Sequence, residues 1–201
     1  EAEARGISKI FWIVASTHEG EEALVIDTFI TAKQSCPDLH LILAPRHPER
    51  FATVGSLLAE KLGASGDHYS FSQMVDLRSE TALKDLSFSK DIWLIDTLGE
   101  LLLFYAFSDI TTVAGSFVPI GGHNILEPAF FSKPIIVGPY MYENQETLED
   151  FIAQEAIMQV KSEELTSVLL LLADNPQKRA KLGRNARAWM MQNQTGSRKV
   201  V

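Results

Sequence analysis

Ile10-Phe11-Trp12-Ile13-Val14-Ala15 is an unbroken apolar run, and it leads through Ser16-Thr17-His18-Glu19-Gly20-Glu21-Glu22 into a segment of helical period. A strand without polar alternation is one covered on both faces, the condition of a parallel sheet, and the helix after it supplies the crossover. The same unit repeats along the chain. Strands are predicted at Ile10–Ala15, Leu39–Ala44, Ile92–Ile95, Ile110–Ala114, Pro134–Val137 and Ile157–Val160. Helices are predicted at Glu21–Gln34, Glu49–Leu62, Gly99–Phe107, Ile125–Phe131, Glu146–Gln154, Glu163–Ala173 and Pro176–Gln192. This order predicts an α/β fold, a doubly wound Rossmann-like domain on a parallel sheet of about six strands with right-handed crossovers. Ser72 to Lys90 has mixed polarity and no clear period, and it reads as a loop with room for short structure.

Composition narrows the function. The 201 residues are 46% hydrophobic and 22% charged, an ordinary globular balance that suits one compact domain or two small ones. A single cysteine, Cys36, excludes an internal disulfide and paired-thiol redox chemistry. Eighteen basic residues against 26 acidic ones leave a formal charge of −8, with no cluster of Lys and Arg to follow a phosphate backbone, so duplex nucleic acid is not an expected partner. No apolar run reaches the roughly 18 to 20 residues that cross a bilayer. Glu1-Ala2-Glu3-Ala4 lacks the basic flank and apolar centre of a signal peptide, and it reads as a cloning remnant or a cut inside a longer protein. The chain is therefore expected to be a fragment.

In open parallel sheets ligands sit outside the carboxyl ends of the strands, so chemistry is sought in the loops that follow them. Gly115-Ser116-Phe117-Val118-Pro119-Ile120-Gly121-Gly122-His123-Asn124-Ile125-Leu126-Glu127-Pro128 is the most specific of these. Its paired glycines allow close backbone approach, and the amides of the helix that follows suit a phosphate. Asn124 with Glu127 three residues on is also close to a capping box, so Glu127 reads either as a cap or as a ligand-binding acid. Ser16 and Thr17 could cap the next helix or donate to a phosphate, while Glu21 and Glu22 read as acids favoured by the helix dipole. His18 and Glu19 sit at the mouth of the crevice. Arg46 and His47, stiffened by Pro48, put a guanidinium at the end of the second strand, where it either forks onto a phosphate or carboxylate or is a plain surface arginine. Metal binding by His18, His47 and His123 is not expected, since no spacing resembles a zinc site. A Gly-x-Ser-x-Gly elbow, a phosphate loop ending in Gly-Lys-Ser/Thr, and Gly-x-Gly-x-x-Gly after the first strand are all absent, which argues against a serine hydrolase, a nucleoside triphosphatase and a dinucleotide dehydrogenase.

Four strings together, Ala15-Ser16-Thr17-His18-Glu19-Gly20-Glu21-Glu22, Pro45-Arg46-His47-Pro48-Glu49-Arg50-Phe51, Ile95-Asp96-Thr97-Leu98-Gly99-Glu100-Leu101 and Gly121-Gly122-His123-Asn124-Ile125-Leu126-Glu127-Pro128, resemble the C-terminal half of the Kdo transferases. These are GT-B glycosyltransferases that move 3-deoxy-D-manno-oct-2-ulosonic acid from CMP-Kdo to a lipid A precursor in lipopolysaccharide biosynthesis. The resemblance implies that residues 1–201 are the donor-binding domain and that an N-terminal acceptor domain is absent, together with the general base and the membrane-associating segment. It implies no catalytic residue here, no cofactor and no metal, and indeed no Asp-x-Asp occurs. At matching positions Glu127 would take the ribose hydroxyls, and Gly121, Gly122, His123 and Asn124 would line the phosphate and sugar. Arg46, with His47 beside it, would meet the phosphate or the Kdo carboxylate, and Ser16 and Thr17 would complete the anion pocket. Thr97, Gly99 and Glu100 lie where GT-B folds hold the nucleobase. The whole enzyme would work at the cytoplasmic face of the bacterial inner membrane, with the isolated chain soluble and inactive. The alternatives are another GT-B nucleotide-sugar enzyme, either a UDP-sugar transferase or an epimerase, and a non-catalytic scaffold domain.

Overall fold

A computed structural model describes residues 9–66, 70–82 and 88–196; the acidic N-terminal tetrapeptide lies outside them. In chain order the elements are β1 (Ile10–Thr17), α1 (Glu21–Ser35), β2 (Leu39–Pro45), α2 (Phe51–Ala64), a short α3 (Phe71–Met74), β3 (Val75–Leu77), β4 (Ile92–Leu94), α4 (Leu101–Phe107), β5 (Ile110–Val113), α5 (Leu126–Phe130), β6 (Ile135–Val137), α6 (Gln145–Ala153), β7 (Ile157–Gln159), α7 (Leu165–Asp174) and α8 (Pro176–Gly196). The strands form one parallel sheet in the order β3-β4-β2-β1-β5-β6-β7. Seven strands stand where the periodicity predicts six. The additional one, β3, falls inside the stretch read as a loop and pairs Val75–Leu77 with Ile92–Leu94 at the sheet's edge. Three residues are too few to show a period.

Both faces of the sheet are covered, as the unbroken apolar strands require. On β1, Trp12 and Val14 point to one face, into a core shared with Val25 and Phe29 of α1, Val54 and Leu58 of α2 and Leu169 of α7. Phe11, Ile13 and Ala15 point to the other, against Trp93 of β4 and Phe104 and Tyr105 of α4. Further along that second face, Ile135 and Val137 of β6 pack on Ala129 of α5, Phe151 of α6 and Ala186 and Met190 of α8. Trp12 is buried and satisfies its indole N–H with the Thr112 hydroxyl at 2.9 Å. Among the described residues no helix is long and apolar enough to cross a membrane.

The chain leaves β1 toward β2 on one side and returns from β4 to β5 on the other, so a crevice opens between the carboxyl ends of β1 and β5. Ser16 stands at that end with φ of +62°, and the β1–β2 register slips there, Ala15 pairing with Ala44 but Thr17 with Pro45. Such a slip breaks the regular alternation of the strand where it reaches the crevice.

What joins the two loops across the crevice is Glu21. Its side chain is 1% exposed. One carboxylate oxygen accepts the amides of His18 at 3.0 Å and Gly115 at 2.8 Å, the other those of Ser116 at 3.1 Å and Phe117 at 2.9 Å. The expectation that Glu21 merely answers the helix dipole is corrected here: it is a buried anion held by main-chain amides from a loop 94 to 96 residues away. Beside it Glu22, also buried, receives Nε and Nη2 of Arg50 at 3.1 and 3.3 Å, which fastens the loop after β2 to the start of α1. Glu21→Gln presents an NH₂ to amides that need an acceptor, leaving buried donors unmet. It is expected to lower unfolding free energy by about 3 kcal/mol, read from the urea midpoint; a midpoint unchanged from the parent would show that the loops are held by something else.

Candidate functional site

The crevice is lined by three imidazoles and one guanidinium. His18, just after β1, and His123, just before α5, meet Nε2 to Nε2 at 2.8 Å with rings 15° apart. His47, from the loop after β2, stands edge-on to His18 with ring centres 5.3 Å apart. Arg46 is exposed next to it, its main-chain amide fixed to the Thr17 carbonyl at 3.0 Å, and no carboxylate pairs with its guanidinium among the described residues. Burial lowers the basicity of both His18 and His123. For His123, the neighbouring His18, Arg46 and His47 add to burial and press the pKa down to about 4. His18 and His123 therefore form a neutral imidazole pair beside an unpaired arginine, poised for an anion. Among the described residues no group of His, Cys, Asp and Glu has the arrangement of a metal centre.

His123 is placed by glycine. A Cβ on Gly115, whose φ is +69°, would stand 2.8 Å from two atoms of the His123 ring. Gly121 and Gly122 also have positive φ, +112° and +81°, and a Cβ at either would overlap Tyr142 and Glu143 or the Met141 sulfur. The Gly-Gly pair thus admits the segment 141–143, which is locked by Glu143 N–H to the Gly121 carbonyl at 3.1 Å and by the Tyr142 hydroxyl to the Pro119 carbonyl at 2.8 Å. Ser116 is closed off as well, its hydroxyl donating to the Val113 carbonyl and accepting the Gly138 amide.

Asn124 settles one of the readings left open by the sequence. Its side-chain oxygen accepts the Leu126 amide at 2.9 Å in the turn that leads into α5, and its NH₂ donates to Glu127 at 3.3 Å. Glu127 makes no return bond to the backbone, so the reciprocal capping box does not form. Its carboxylate is half-buried at the crevice rim near Tyr105, which is buried and whose phenol is pushed up mainly by burial and then by this charge.

The remaining predicted residues divide between two places. Ser16 is half-buried at the crevice, whereas Thr17 is wholly buried and its hydroxyl has no protein partner. Thr97, Gly99 and Glu100 lie after β4, two strands away from β1, and no bond links them to the imidazoles among the described residues. There Glu100 accepts from Thr97 at 2.6 Å and from buried Arg78 at 2.6 Å, while Asp96 takes the amide and hydroxyl of Ser79. Gly99, with φ of +81°, makes the turn beside exposed Leu98. The sequence reading missed Arg50, Arg78 and the anchoring role of Glu21. Only the third had a signal, an acid directly after Gly20 facing the crevice.

No family model matches the chain. It is 32% identical over 192 residues to the 3-deoxy-D-manno-octulosonic acid transferase of Haemophilus influenzae and 35% identical over 164 residues to that of Rickettsia bellii, matches that take in 94% and 81% of this chain. They take in 42% and 36% of those proteins, so the chain spans less than half the length of these relatives. Among solved structures, the C-terminal CMP-Kdo binding domain of WaaA from Acinetobacter baumannii superposes with a TM-score of 0.78 at 29% identity, covering 92% of this chain and 90% of that domain. The C-terminal domain of a group 1 glycosyl transferase from Francisella tularensis shares the fold, with a TM-score of 0.66 at 15% identity, covering 96% of this chain and 90% of that one. The seven-stranded sheet, the loops that line its crevice and these likenesses lead to one conclusion: over nearly its whole length the chain matches the C-terminal, GT-B type domain of the 3-deoxy-D-manno-octulosonic acid transferases.

Proposed function

We propose that this chain is the donor-binding half of a Kdo transferase and holds CMP-Kdo in the crevice between β1 and β5 while an acceptor domain elsewhere in the protein presents a lipid A precursor. The observation that carries the reading is the match along nearly its whole length to a CMP-Kdo binding domain, combined with an unpaired arginine at the switch point of the sheet. Arg46 meets the phosphate or the Kdo carboxylate with its fork of donors. Gly121, Gly122, His123 and Asn124 border the phosphate and sugar, with Ser16 and His47 on the facing loops. Thr17 contributes through its carbonyl, which positions Arg46. Glu127 accepts from the ribose hydroxyls, and the backbone around Thr97, Gly99 and Glu100 holds the base.

In the transfer, the acceptor hydroxyl attacks the anomeric carbon of Kdo, the bond to the phosphate oxygen breaks with inversion, and CMP departs with the bonding electrons. The general base belongs to the acceptor domain. This half supplies charge stabilisation for the leaving phosphate, through groups fixed before the reaction begins. The whole enzyme acts at the cytoplasmic face of the bacterial inner membrane.

A ligand that binds only the folded state raises the melting temperature. Millimolar CMP is expected to do so, and UDP and AMP are not; an equal rise with UDP would replace this reading by a UDP-sugar enzyme, and a flat response to all three would favour a scaffold. Glu127→Ala is expected to abolish the CMP shift while changing stability by less than about 0.5 kcal/mol, since Glu127 bonds no backbone amide. Retained CMP binding with a loss of about 1 kcal/mol would make Glu127 a structural partner of Asn124 only.

A further inference from the structure

His18 and His123 face each other through the same ring atom, Nε2, at 2.8 Å. Two lone pairs cannot share that distance. One Nε2 carries a hydrogen and the other accepts it, so the neutral rings are held in opposite tautomers. The donating ring then has a bare Nδ1. A proton arriving there forms an imidazolium and leaves the bond between the rings intact, whereas a second proton, on the accepting ring, would break it. The pair can hold one extra proton and no more.

The surroundings decide which ring takes it and when. Arg46 and His47 from the loop after β2 oppose charge on both rings, and burial adds to the opposition. Glu21 and Glu22 from α1 favour charge on His18 alone. The extra proton therefore belongs on His18, with His123 as the acceptor of its Nε2–H. The opposing cation, Arg46, is the group that has no carboxylate partner among the described residues. An anion seated against it removes the repulsion that keeps the pair neutral.

We propose that the His18–His123 pair takes up one proton from solvent when the anionic donor occupies the crevice, so that the phosphodiester is met by two positive charges, Arg46 and His18, of which only the first exists beforehand. This rests on the donor-site reading and adds to it a coupling between nucleotide binding and protonation.

The test is a histidine-¹⁵N nuclear magnetic resonance titration of the chain between pH 5 and 8, alone and with saturating CMP, the rings assigned through His18→Gln and His123→Gln. Without nucleotide the two rings are expected to show opposite neutral tautomers at pH 7. With CMP, His18 is expected to become an imidazolium at pH 7, its proton affinity rising by about tenfold or more while His123 stays neutral. If CMP moves backbone signals around Arg46 and both rings remain neutral, the coupling is wrong and the donor site stands. If CMP moves no signal at all, the donor site falls and the coupling falls with it.

Discussion

Two loops that belong to different strands have to be held in register for this crevice to exist, and a single carboxylate does it. The sheet ladder between β1 and β5 ends at Ala15 and Val113, so beyond that point hydrogen bonds between strands no longer fix the chain. Glu21 takes over there, collecting one amide from its own loop and three from the other. A buried carboxylate with no cation is tolerable only because every one of these donors is aimed at it, and the amides in turn have no other acceptor. The position of His123 opposite His18 follows from this arrangement, since both residues are carried by the loops that Glu21 joins.

Glycine does the rest by letting neighbours in. Gly115 admits the His123 ring, Gly122 admits Met141, and Gly138 lies against the Ser116 carbonyl, where a Cβ would stand at 2.2 Å. Each closes a different seam of the same wall. At the far end of the second helical layer Gly183 of α8 lies against Ser132 in the same manner, which seats α8 against α5 and so backs the helix that carries Glu127.

Most of the architecture was legible because strands covered on both faces leave apolar runs, unbroken in Ile10–Ala15, β4 and β6 and interrupted only by His40 in β2 and by Thr111 and Thr112 in β5. β3 escaped because a three-residue edge strand has no period to read. Of the site, the loops after β1, β2 and β5 were visible as polar, glycine-bearing breaks between apolar elements, and the order of the strands brings them to one crevice. What could not be read was the use made of each residue. Glu21 looked like a helix-start acid since nothing local links it to amides more than 90 residues away. Gly121 and Gly122 gave no hint that residues 141–143 pack where a Cβ at either would stand. Glu100 has the look of a crevice acid, and both its oxygens are engaged by Thr97 and Arg78. Pairings of this kind are set by packing, which a single sequence does not encode in any short window.

The loop from Gly115 to Phe117 would pass for a flexible segment on composition alone, and its amides would pass for a vacant anion cradle. Glu21 fills that cradle permanently. The loop is thereby expected to exchange its amide hydrogens as a core strand does, slowly and by opening with the domain as a whole. On the proposed donor-binding role, a nucleotide entering the crevice would meet a wall that needs no ordering, and its association would be governed by diffusion and by the charge on Arg46 rather than by loop closure.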